Sequence, residues 1–319
     1  MKLATSTGDF SFYVNTVAEK VKEFKGSPFK YINLEQTGNI PELFSESDDD
    51  WKRLANDFAE ARDFAGVEYV VSHAPCLHNP IINALNDPDD ETYRANVRAI
   101  RRSIEICHLL GIERIVVHAC ANNTLTKEEF YRYNVMFYRE FFDLMEKYNI
   151  TVMTENWDNN VTHFSTGQEL RDFIDHIDHP LLGTCWDTAH GNIDRTARSI
   201  GQYKNILTLG EKLKGMHISD NFGDCHHHSW PFAGNINFDS IVQGLLDVNY
   251  DGFFTFEASY TLLHHNNPPH GRAAWSYRNE PVRKLLDPSI ALKKKAVELL
   301  YETGKYILQT YECFEDRFG

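Results

Sequence analysis

Residues 91–119, ETYRANVRAIRRSIEICHLLGIERIVVHA, contain the repeating unit from which this chain is built. Apolar residues recur at helical spacing from Glu91 to Leu110, and Gly111 stands where a left-handed cap ends a helix. The short apolar run Arg114–His118 has the length of a buried strand and ends on an imidazole. A helix followed at once by such a strand is half of a βα repeat around a parallel sheet.

The same rhythm extends in both directions. Eight strands are predicted: Lys2–Ser6, Tyr31–Glu35, Tyr69–His73, Arg114–His118, Thr151–Glu155, Leu182–Asp187, Leu213–His217 and Gly252–Glu257. Helical spacing fills the intervals at Asp50–Ala65, Glu91–Leu110, Lys127–Tyr148 and Phe238–Val248. Eight strands with helices between them predict an α/β fold, a (β/α)8 barrel, with a doubly wound open sheet as the alternative. No Pro/Gly/Ser-rich linker or longer repeat divides the chain, so residues 1–319 are expected to form a single domain. Within it, 260–319 forms a C-terminal extension. Its first part, Tyr260–Pro281, carries His264, His265, His270, Arg272 and Trp275 without a period and reads as a long loop. A closing helix over Ser289–Tyr311 follows.

Composition is consistent with this. Among 319 residues, 42% are hydrophobic, with 21 Phe and 15 Tyr, which is ample for a large core. A formal charge of −14 disfavours a nucleic-acid partner. The cysteines, Cys76, Cys107, Cys120, Cys185, Cys225 and Cys313, form no C-x-x-C pair and read as reduced, mostly structural thiols. With no signal-like N-terminus and no apolar run long enough to span a bilayer, a cytoplasmic protein without a membrane partner is expected.

Chemistry gathers at the strand ends. Glu35, His73, His118, Glu155, Asp187, His217 and Glu257 each close a strand, and a barrel brings all C-terminal strand ends to one face. Four of them, in VMTE (152–155), CWDTAH (185–190), KGMHISD (214–220) and FTFEAS (254–259), end four consecutive strands. Three carboxylates and one imidazole make an oxygen-rich set for one divalent metal, favouring Mn2+ or Mg2+, with Zn2+, Co2+ and iron tolerated. Glu155 and Glu257 lie on either side of that site, which suits proton removal by one and delivery by the other. The alternative is that both serve only as ligands.

These motifs, with SHAP (72–75), LLGIERIVVHA (109–119), TEN (154–156), WDTAH (186–190), HISDN (217–221), HSWPFAGNINF (228–238) and YDGFFTFE (250–257), resemble the xylose isomerase-like TIM barrel superfamily. The resemblance implies a metal-dependent isomerase or epimerase of a small sugar, polyol or keto-acid, working through a metal-stabilised enediolate. It places Glu155, Asp187, His217 and Glu257 as ligands of one divalent ion, Mn2+ foremost, with Mg2+, Co2+ or Zn2+ as alternatives. Glu155 and Glu257 take the catalytic acid/base positions. His73, His118, His190, His228 and Trp186 are expected to contact substrate. Ser219 stands where the superfamily commonly has lysine, and HSWPFAG replaces its H-L-P-P-G-x-G turn.

The same superfamily supplies the competing readings. Lyases such as inosose dehydratases and C-glycoside deglycosidases share the barrel, and the latter associate with a small β-rich subunit; a homo-oligomer is the alternative assembly, and the residues leave the oligomeric state open. Endonuclease IV, a related branch, uses histidines after strands three and four, which His73 and His118 match, and an Asp-x-His pair near strand seven. Counting back from Gly234, the aligned pair here is His226 and His228, while Asp224 and His226 have the spacing only with a shift. For His73 and His118 a second metal or plain packing, and for 226–228 a solvated loop, are the alternatives.

Overall fold

The computed structural model describes residues 1–37, 40–75, 90–120, 124–157, 163–262, 276–282 and 285–315. Cys76, His264, His265, His270, Arg272 and Trp275 lie outside the described residues. Eight parallel strands, β1 (Lys2–Ser6), β2 (Tyr31–Glu35), β3 (Glu68–His73), β4 (Arg114–Val116), β5 (Thr151–Glu155), β6 (Leu182–Asp187), β7 (Leu213–His217) and β8 (Phe253–Phe256), form one sheet. From β1 to β7 each strand pairs with the next, and β1 also pairs with β8. One residue past β7 closes the remaining gap: the Ile218 N–H donates to Thr255 O at 2.8 Å, and Glu257 N–H donates back to Ile218 O at 3.0 Å. The chain is a (β/α)8 barrel.

Helices occupy the intervals between strands. Gly111 caps Glu91–Leu110 at φ 74°, the left-handed conformation that glycine adopts without strain. The expected single helix Lys127–Tyr148 is two, Lys127–Arg139 and Phe142–Tyr148, broken at Glu140–Phe141. Arg101 holds the break: it donates to the freed Glu140 carbonyl and forks onto Asp143 with two 2.7 Å bonds. Phe141 buries fully at the kink, edge-on to Phe137. In the segment expected to be wholly irregular, Ser276–Tyr277 and Glu280–Pro281 pair as a short antiparallel hairpin, β9 and β10. Its turn residues, Arg278 and Asn279, both have positive φ.

The barrel interior is divided. Val71, Val116, Met153 and Cys185 form a small apolar cluster of their own, apart from the large outer core where strand faces meet the helices. Gly215 makes room for this cluster, because a Cβ there would lie 2.8 Å from Met153 Sδ. Near β1 and β2 the side chains are polar: Ser6 donates to Glu35, and Thr5 donates to Asp9 at 2.7 Å.

The closing helix, Ile290–Thr310 with Ser289 as its N-cap, is tied to the site face. Lys293, 1% exposed, donates to Ser259 O at 3.0 Å and Thr261 O at 3.1 Å, just past β8. Its charge also acts on the buried Asp9, whose carboxyl is nevertheless pushed up to about 6, chiefly by burial. A carboxyl raised in the folded state favours folding below its unfolded value, and that contribution is lost as pH rises through the folded value. Relative to Asp9→Asn, the wild type is expected to lose about 3 kcal/mol of stability on going from about pH 3, below the unfolded value, to about pH 7. Denaturant unfolding of both proteins at the two pH values checks this, and a difference that does not change with pH would show that Asp9 titrates normally.

Candidate metal centre at the barrel mouth

β5, β6, β7 and β8 alternate their side chains, so the residue at or just past each C-terminal end turns inward. Glu155, Asp187, His217 and Glu257 thereby offer one donor atom each, all within 4.8 Å of one another. His217 Nδ1 lies between the two glutamates, 3.0 Å from Glu155 Oε1 and 3.3 Å from Glu257 Oε2. Asp187 is completely buried; Oδ1 accepts the His190 backbone N–H at 2.7 Å, while Oδ2 has no hydrogen-bond partner. A buried carboxylate oxygen left without a donor is costly unless a cation faces it.

Glu155 is the most connected of the four. Its Oε2 accepts from His118 Nε2 at 2.9 Å and lies 3.6 Å from His73 Nε2, and its Oε1 lies 3.5 Å from His190 Nδ1. Burial opposes its charge, but the His217 charge and hydrogen bonds from His118 and His217 outweigh burial and hold its carboxyl well below the usual range. Glu257 goes the other way: burial, reinforced by the charges of Glu155, Glu35 and Asp187, raises it well above that range despite His217. Burial also works against a charge on His217, yet Cys185, Glu155 and Glu257 together raise it well above an ordinary imidazole.

Around the four stands a ring of imidazoles with fixed orientations. His73 Nδ1 donates to Ala74 O at 2.7 Å, His190 Nδ1 to Asn156 O at 2.8 Å, and His228 Nδ1 to Glu257 O at 2.9 Å. His73 Nε2 then meets His118 Nε2 at 3.1 Å. Each of these carbonyls can only accept, so the proton sits on Nδ1 in the neutral form and Nε2 carries the lone pair. Burial lowers His228 further from the charged form.

Trp186 does not join this ring. On β6 it points opposite to Asp187, is fully buried outside the barrel, and donates its indole N–H to Gln202 Oε1 at 2.7 Å. The tryptophan at the mouth is Trp157, two residues past Glu155, stacked at 19° on His190 and edge-on to His118 at 4.7 Å. Tyr260 packs on His228 with ring centres 4.7 Å apart. His226 lies between His190 and His228, 4.3 and 3.8 Å from their ring centres.

The loop bearing these histidines is organised by Asp220, whose part sequence reasoning missed. Its carboxylate accepts four backbone N–H groups: Asn221 at 2.8 Å, Gly234 at 2.9 Å, Phe232 at 3.0 Å and Ile236 at 3.1 Å. Gly234 passes so close that a Cβ would fall 2.3 Å from Asn221 O. An aspartate followed within sixteen residues by a Gly-containing turn was the available signal.

A family model described as xylose isomerase-like TIM barrel matches residues 21–278. An L-ribulose 3-epimerase from Methylomonas sp. is 31% identical over 94 residues, covering 30% of this chain and 30% of that protein. An inosose isomerase from Bacillus velezensis is 22% identical, with 72% of this chain and 78% of that protein covered. A probable endonuclease 4 from Sulfurihydrogenibium sp. is also 22% identical, with 64% and 69% covered. Two solved structures share the fold: a D-tagatose 3-epimerase-like protein (TM-score 0.66, 23% identity, 98% of this chain and 100% of that one) and an IOLI protein with a binding zinc atom (TM-score 0.67, 17% identity, 98% and 99%).

Replacing Asp220 by Ala is expected to cost about 2–4 kcal/mol, because four backbone donors lose a charged acceptor. Asp220→Asn should recover part of this. Thermal unfolding of the two variants measures it, and an unchanged midpoint in Asp220→Ala would mean that the loop is held by other contacts.

Proposed function

Because the chain belongs to the xylose isomerase-like TIM barrel family, we propose that it is a divalent-metal-dependent isomerase or epimerase of a small sugar, polyol or keto-acid. The observation that carries this is the convergence of Glu155, Asp187, His217 and Glu257 around one point, with a buried Asp187 oxygen left unpartnered. Three carboxylates this close repel one another, and a divalent cation among them offsets that repulsion. When bound, such a cation polarises substrate oxygens and compensates the negative charge that grows as a C–H proton leaves. The donors are mostly hard oxygens, so Mn2+ is the proposed metal, ahead of Mg2+, Co2+ and Zn2+.

Glu155 and Glu257 then divide the proton chemistry. They approach from β5 and β8 with His217 between them, so a substrate carbon lying over His217 has a carboxylate on either side. One takes the proton from carbon and the other returns a proton, which inverts a centre or moves a carbonyl to the next carbon. His190 and His228, with Nδ1 tied to backbone carbonyls, turn Nε2 acceptors toward substrate hydroxyls, and His73, His118 and Trp157 line the wall beside them. Trp186 has no part in substrate contact in this reading.

The lyase reading shares the first proton transfer and differs in the product. The nuclease reading asks for an Asp-x-His pair at the mouth. Asp224 instead stands at the outer rim with Cys225 and His227, and the chain carries a formal net charge of −14.

Two measurements test the proposal. Incubated in D2O with Mn2+ and a panel of ketoses and keto-polyols, the wild type should place deuterium on the carbon next to the carbonyl. Glu257→Gln should keep its fold and its metal while exchange falls by about 10²–10⁴-fold. No exchange with any panel member would sink the isomerase reading, and a β-elimination product seen by NMR would replace it with the lyase. Separately, Mn2+ at about 100 times its dissociation constant should stabilise the wild type by about 2.7 kcal/mol and leave Asp187→Asn nearly unchanged. Equal stabilisation of both would remove Asp187 from the ligand set, and three bound zincs per chain would favour the nuclease.

A further inference from the structure

We propose a second metal site, softer than the one at the barrel mouth, formed on its outer rim by Asp224, Cys225 and His227 and suited to Zn2+ or a similar borderline cation. The three residues belong to the run DCHHHS (224–229), most of which the reading above leaves without a role. Their donor atoms lie within 4.8 Å of one another. His227 Nε2 is 3.0 Å from Cys225 Sγ and 3.3 Å from Asp224 Oδ1. Ligands about 2.0–2.3 Å from a tetrahedral zinc stand about 3.3–3.7 Å apart, so small side-chain adjustments would seat the ion.

The loop is held at both ends. Arg198 donates to Gly223 O at 2.9 Å, and the Asp220 and Ser229 backbones exchange hydrogen bonds of 2.9 and 3.2 Å. Between these fixed points the run divides. His226 and His228 turn inward, onto His190 and Tyr260, while Cys225 is exposed, the Asp224 side chain is 62% exposed and that of His227 is 35% exposed. An ion can therefore arrive from solvent and keep water as its fourth ligand. The donor chemistry separates the two sites: oxygen atoms dominate the inner cluster and suit Mn2+, whereas a thiolate and an imidazole select Zn2+, Cd2+ or Co2+. On binding, the Cys225 S–H bond breaks, its proton passes to solvent and the sulfur lone pair goes to the metal.

Protein stripped with a chelator and titrated with Zn2+ should bind one equivalent more in the wild type than in Cys225→Ser or His227→Ala. All three should bind Mn2+ with the same stoichiometry, which also checks their fold. With Cd2+, the thiolate charge-transfer absorption should vanish in Cys225→Ser and persist in Cys185→Ser, whose thiol lies beside the inner cluster. Equal zinc stoichiometry in the three proteins, or a cadmium band that survives Cys225→Ser, would overturn the site.

Discussion

The mouth of this barrel is arranged around one buried anion. Glu155 is 2% exposed, and a carboxylate so placed costs several kcal/mol unless its lone pairs are met. They are met by His118 from beyond β4 and His217 from β7, at 2.9 and 3.0 Å, while the rings of His73 from β3 and His190 after β6 stand close by at 3.6 and 3.5 Å. Satisfying this one carboxylate fixes how deeply each strand end sits. It also leaves Glu257, on the far side of His217, with the less favourable share of the positive charge, and the two carboxyls consequently move in opposite directions.

That arrangement depends on where the sheet closes. The β7–β8 gap is bridged at Ile218, the residue after His217, by two backbone hydrogen bonds that reach Thr255 and Glu257. A slip of one residue at this seam would turn His217 or Glu257 out of the mouth. Across the barrel, the wall near β1 and β2 is polar where the wall from β3 to β6 is apolar. Asn33, fully buried on β2, has neither carboxamide atom hydrogen-bonded, in contrast to the fully packed cluster of Val71, Val116, Met153 and Cys185 opposite. Such an imbalance asks for water or a polar guest on one side only.

Much of this was legible in the residues. Buried parallel strands read as continuous apolar runs, so six of the eight begin where expected, and the ionisable residues closing seven of the runs mark the mouth. The misreadings have physical causes. Trp186 is expected among the substrate contacts, but adjacent strand residues face opposite ways, so an inward Asp187 requires an outward Trp186. The break after Arg139 left no trace, because it is held by Arg101, which is remote in sequence. The β9–β10 hairpin has two residues per strand, too few for a period. Asp220 lay within a recognised motif, but its four backbone partners depend on a loop path that side-chain identity does not encode.

Lys293 gives the fold a direction in time. Its ammonium group reaches from the closing helix to the carbonyls just beyond β8, so the wall beside Glu257 is completed by a residue more than thirty positions downstream. During synthesis from the N-terminus, the eight strands can all have left the ribosome while this clasp is still inside the exit tunnel. Until it emerges, the carbonyls of Ser259 and Thr261 lack the ammonium group that donates to them in the complete chain. The contacts that Lys293 makes beside Glu257 therefore form last in the order of synthesis.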